Sequence, residues 1–146
     1  MPPLALDLDG VLADTRPLWR DWLEDAARRT RVELDLPEDR SRAALLLDER
    51  LGDWRPLLDR FAADRGPVYF RPHGGTGALL RRLQAAGVQI GVFTDAPREL
   101  ADIALAHVGA ARRVVAVGTL DEVLHELGEG AVVVRSRAEL KAAAAV

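Results

Sequence analysis

The sequence predicts an α/β fold, a three-layer Rossmann-like arrangement around a parallel sheet, and three observations carry that prediction. The chain opens on an apolar run, Leu4-Ala5-Leu6, that ends in the acids Asp7 and Asp9. A second apolar run, Val88 to Phe93, ends in Thr94 and Asp95. Between such runs lie amphipathic stretches long enough to serve as crossover helices. Strand, helix, strand at this spacing argues for parallel pairing with right-handed crossovers. Parallel strands share one carboxyl edge, where ligands bind, so both polar tips are expected on the same edge.

In the first strand, Leu4, Leu6 and Leu8 alternate with Ala5 and Asp7, a pattern of a buried strand. Neither Asp7 nor Asp9 belongs there for stability, because burying an unpaired charge is expensive. Gly10 lets the backbone turn and approach a ligand closely. Taken alone, Asp9-Gly10 is also an ordinary turn closing a strand.

Pro17 then begins a helical pattern in which Leu18, Trp19, Trp22, Leu23 and Ala26 share a face. Pro37 opens a second helix, Glu38 to Leu51, and Trp54 to Asp64 supplies a third. The three tryptophans are expected in the core. Three short helices before Tyr69 make an insertion too small for a core of its own unless it packs on the main body. The expected division is a core of residues 1–14 and 69–146 with a small helical cap at 15–68. Further on, Thr76 to Ala86 reads as a helix closed by Gly87, Pro97 to His107 as another, and strands are expected to start near Val114 and Val132.

Composition narrows the function classes. At 146 residues, 49% of them hydrophobic, the chain has material for one core and a small lobe. A net charge of −3 with no basic stripe argues against nucleic acid. No apolar run approaches the roughly 18 residues of a membrane span, and an acidic motif stands where a signal segment would be, so a cytoplasmic setting is expected. The absence of cysteine excludes disulfides and thiolate metal sites. Of the 20 basic residues only Lys141 is a lysine, so cations at any site are arginines.

The stretch Asp7-Leu8-Asp9-Gly10-Val11-Leu12-Ala13-Asp14-Thr15 resembles motif I of the haloacid dehalogenase superfamily. The resemblance implies that Asp7 is a nucleophile that takes up a phosphoryl group and that Asp9 is a general acid and then base. It also implies a magnesium ion held by the Asp7 carboxylate and the Asp9 backbone carbonyl. The chemistry has a reason: a carboxylate attacking a phosphate dianion meets charge repulsion, which a hard cation relieves. Gly87 to Pro97 resembles motif II, which gives Thr94 the task of donating a hydrogen bond to the transferring phosphoryl oxygen. Phe70 to Ala96 resembles the phosphoglycolate-phosphatase-like branch. By chemistry alone Thr94, or Asp95, could instead cap the helix that follows. His73, isolated in a Pro-Gly loop, is read as a loop residue, not a base.

The chain departs from the family pattern in two places. Motif III needs a lysine, and Lys141 lies near the carboxyl terminus. Motif IV needs acids at the end of a further strand. With Ala131 to Val134 as that strand, Arg135 stands in the acid's place and only Glu139 remains; with Val114 to Val117, Asp121 or Glu122 are the substitutes. Arg135 is therefore expected to face the substrate with Gly10 and Asp95, and Arg98 is a further source of positive charge. The resemblance implies a magnesium-dependent phosphohydrolase for a small phosphorylated metabolite. The alternative is an inactive relative that binds a phosphorylated ligand or a protein partner. Dehalogenase chemistry is disfavoured, because that branch generally lacks the acid that Asp9 provides.

Overall fold

The computed structural model describes residues 1–145. Four parallel strands, β1 (Leu4–Asp7), β2 (Ile90–Phe93), β3 (Ala116–Gly118) and β4 (Val132–Val134), form one sheet in the order β3-β2-β1-β4. They lie where the sequence placed them, within two residues of the expected starts. The register sets Asp7 beside Phe93 and Leu6 beside Val134, so the ends of β1, β2 and β4 are level. The acid-tipped strand is therefore central, with Thr94 following on one side and Arg135 on the other.

Among the described residues six α-helices connect these strands and a seventh follows the last: α1 (Arg16–Thr30), α2 (Arg40–Leu51), α3 (Arg55–Tyr69), α4 (Gly74–Ala85), α5 (Arg98–His107), α6 (Leu120–Leu127) and α7 (Arg137–Ala144). Two layers cover the sheet. Leu4, Leu6, Ile90 and Val92 pack with Leu80, Leu83, Ala101, Leu105 and Leu140 on one face, and Ala5 and Phe93 with Val123 and Leu127 on the other. Gly91 makes the second contact possible, since a Cβ there would stand 2.5 Å from Val123.

Helices α1 to α3 form the insert between β1 and α4. Trp22 and Trp54 are fully buried and pack with ring centroids 5.6 Å apart and planes tilted by 42°, with Leu18, Leu47 and Leu58 around them. This cluster continues into Leu100 and Ala104 of α5, so the insert shares its core with the body. One tight approach is at Gly66, where a Cβ would lie 2.5 Å from the His107 ring. That packing accounts for a departure from expectation: α3 runs past Asp64 and through Pro67 to Tyr69, although proline removes a helical hydrogen bond.

Two local signals decide other details. His73 accepts a hydrogen bond from the Thr76 backbone N–H at 3.1 Å and caps α4, which is the loop task expected of it. Thr119 and Glu122 form a reciprocal capping box that starts α6. That box spends Glu122 on a backbone amide, away from any metal.

Candidate active site

Five residues after β1, Leu8–Leu12, make one wide helical turn closed by the Ala13 N–H on the Leu8 carbonyl at 2.9 Å. The turn brings Asp9 back toward Asp7 and presses Gly10 against the end of β4. A Cβ on Gly10 would stand 2.1 Å from the Arg135 carbonyl oxygen. The glycine was expected to admit a ligand; its lack of a side chain serves the approach of two backbone segments. Asp7, Asp9, Gly10, Thr94, Asp95 and Arg135 all line one cleft of about 1180 Å³, roofed by Arg16, Trp19, Arg20 and the segment from Leu34 to Ser41. The two acids and the hydroxyl from distant parts of the chain meet there.

Asp9 is locked. Its Oδ1 accepts from the Thr15 N–H at 2.8 Å and from the Thr15 hydroxyl at 2.6 Å, and its Oδ2 accepts from Nη2 of Arg40. Arg40 is only 3% exposed and makes further bonds to the Thr15 hydroxyl at 2.6 Å and to Asp95 Oδ1 from Nε at 3.1 Å and Nη2 at 2.8 Å. Its backbone N–H donates to Asp95 Oδ2 at 2.9 Å. Arg40 is the first residue of α2, where backbone N–H groups lack helical partners. Asp95 thus satisfies one of these while Asp39, the helix's own cap, serves Ser41 and Arg42. Burial raises the Asp95 carboxyl, but the Arg40 backbone N–H and guanidinium outweigh it and hold it below its usual range.

Asp7 is treated in the opposite way. Among the described residues it has no hydrogen bond from another side chain and no ion pair, and burial, then the Asp9 charge, push its carboxyl up. The Asp9 backbone N–H and the charges of Arg135 and Arg16 only partly oppose this. A desolvated carboxylate without a counter-ion, facing a cleft, is a candidate reacting group.

The remaining expectations sort by position. Thr94 lines the cleft, and its Oγ1 accepts from the Ala96 N–H at 3.1 Å, leaving its own proton free to be donated. Neither it nor Asp95 caps α5, whose N-cap position is held by Pro97 without a side-chain hydrogen bond. Arg98 bonds Asp102 and the Val117 carbonyl, lines a neighbouring groove and does not line the main cleft. Lys141 is exposed on α7. Between the two motif IV alignments, topology favours β4: it pairs with β1, whereas β3 lies beyond β2.

Magnesium needs about six oxygens, with one or two carboxylates among them. On β4 the acid's place holds Arg135, and Glu139 instead accepts the Arg135 N–H at 2.7 Å. Glu122 is bound in its capping box, and Asp9 already faces Arg40. No group of three metal-binding side chains occurs among the described residues. What remains for a divalent ion is the Asp7 carboxylate and the Asp9 backbone carbonyl, a single charged ligand, which holds such an ion weakly.

The residue that sequence reasoning missed is Arg40. Its one signal was a cation in the first turn of a helix, where the macrodipole disfavours it. Among so many arginines, that signal is faint.

Fold and site together define an α/β protein whose central strand carries paired carboxylates at a ligand-binding edge beneath a helical insert. The model of the haloacid dehalogenase-like hydrolases matches residues 4–143, and the chain belongs to that family. Among solved structures it is similar to a Thermotoga maritima protein provisionally described as a beta-phosphoglucomutase, with 20% identity and a TM-score of 0.55 over 100% of this chain and 82% of that one. At that identity the likeness is one of fold. No curated protein matches the chain significantly.

Proposed function

We propose that the cleft acts on a phosphate ester of a small metabolite and that Asp7 is its nucleophile. The observation that carries this reading is a desolvated Asp7 with no side-chain partner, level with Thr94 at the carboxyl edge of the sheet. An Asp7 oxygen forms a bond to phosphorus as the ester P–O bond breaks, and the leaving oxygen takes a proton. Water then cleaves the acyl phosphate, restoring Asp7 and releasing inorganic phosphate. The Thr94 hydroxyl donates to a non-bridging phosphoryl oxygen and Arg135 supplies positive charge. Asp9 is the nearest carboxyl to give and retrieve the proton, provided Arg40 releases it. In this reading residues 15–68 are a cap over the core of 1–14 and 69–146, and the setting is cytoplasmic. No nucleic-acid or membrane surface is involved; no described helix is long and apolar enough to cross a membrane.

The test is phosphate release from an aryl phosphate, with and without magnesium, by the natural chain and by Asp7→Asn. Turnover that disappears in Asp7→Asn is the expected result; equal rates would remove the enzyme reading. One observation favours a second reading, an inactive relative that binds a phosphorylated ligand: both Asp9 oxygens are occupied. Ligand binding without turnover would select it.

A further inference from the structure

Resting on the reading of the cleft as a phosphate site, we propose that a guanidinium replaces the divalent cation there, so that Arg135 holds the phosphoryl group and binding needs no metal. Three independent placements lead to Arg135. First, β4 delivers it to the level of Asp7, the place where the family resemblance expects a metal-binding acid. Second, its backbone is fixed: the N–H donates to Glu139 at 2.7 Å and the carbonyl abuts Gly10. The base of the side chain is therefore held at the floor of the cleft. Third, its guanidinium carbon lies 5.3 Å from the centre of the Phe93 ring, and Phe93 is the residue paired with Asp7 in the sheet.

Of the other three arginines of the lining, Arg20 stands in the roof on α1, away from the strand ends, and two are employed elsewhere. Arg40 is consumed by Asp9, Asp95 and Thr15, and Arg16 pairs with Asp14 at 3.0 Å. Arg135 has no carboxylate partner among the described residues, and it is exposed to the cleft. A planar guanidinium presents paired donors that match two oxygens of a phosphate, and it keeps its charge at any accessible pH. It relieves the repulsion between Asp7 and a phosphate dianion, which is the electrostatic task otherwise given to the ion. The ligand class is a phosphate monoester dianion recognised without metal.

Calorimetric titration of the full chain with inorganic phosphate tests this, once in excess chelator and once in excess magnesium. The expected result is binding of similar affinity in both. Arg135→Ala, a change at an exposed side chain, weakens it by about tenfold or more in both. Arg135→Asp places a third acid beside Asp7; it abolishes phosphate binding in chelator and creates magnesium binding that the natural chain lacks. Phosphate binding that requires magnesium in the natural chain, or unchanged affinity in Arg135→Ala, overturns the inference and leaves the phosphate site standing. Absence of phosphate binding under either condition overturns both.

Discussion

The two sides of the cleft treat their acids in opposite ways. On the insert side, Asp95 and Asp9 converge on one buried guanidinium, and every polar atom of Arg40 that points inward has a partner. On the sheet side, Asp7 is desolvated and has no side-chain partner. Removing one member of a buried ion pair costs several kcal/mol, whereas an unpaired, desolvated carboxylate costs stability simply by being ionised. The first arrangement fastens the insert to the body; the second leaves a carboxylate unpaired at the cleft, as the proposed nucleophile requires. Two acids separated by one residue in the sequence thus serve different ends.

The comparison breaks most visibly at Asp7. Asp7→Asn lowers phosphate release by about 10³-fold or more, measured with an aryl phosphate, because a group that acts as nucleophile has no substitute. The same variant is more stable at neutral pH than the natural chain in urea unfolding, since it deletes a charge the fold disfavours. On the other side, Arg40→Ala lowers stability by about 3 kcal/mol in the same unfolding experiment, leaving Asp9 and Asp95 without their shared cation. A variant as stable as the natural chain would show that the clamp is ornamental. Gly10→Ala comes next, at about 2 kcal/mol, because the added Cβ meets a backbone oxygen that has little room to retreat.

The smallest effects sharpen the contrast through pH. Asp95 titrates below its ordinary 3.8 in the folded chain, so its contribution to stability is present above 3.8 and is lost as pH falls through and below that value. Asp7 titrates above 3.8, so the folded state binds its proton more tightly and stability declines as pH rises from 3.8 through the raised value. Unfolding curves of Asp95→Asn and Asp7→Asn against pH should therefore diverge from the natural chain in opposite directions above pH 4 and converge on it in acid. Parallel displacement of the two would contradict the assignment of their environments.

The sheet was legible because a buried parallel strand writes its character locally, in Leu4 to Leu8 and Val88 to Phe93, and polar tips mark its end. A helix start was legible at Pro17, whereas α2, expected from Glu38 after Pro37, begins two residues later behind its cap Asp39. The capping box of Thr119 and Glu122 was equally local, but reading those residues as a worn metal motif hid it. Arg40 could not be read in this way. Its partners lie 31 and 55 residues distant, and only the packing of α1 to α3 against α5 brings the first turn of α2 over Asp9. The continuation of α3 through Pro67 has the same origin, a contact with His107 that no local pattern encodes.

Whether Asp7 reacts can be asked of the molecule directly. The full chain, incubated with an aryl phosphate, quenched in acid and digested, is to be analysed by mass spectrometry for a phosphoryl adduct on the peptide carrying Asp7. The account predicts that adduct on Asp7 and none in Asp7→Asn. Phosphate release with no adduct at that residue, or an adduct that persists when Asp7 is replaced, would contradict it.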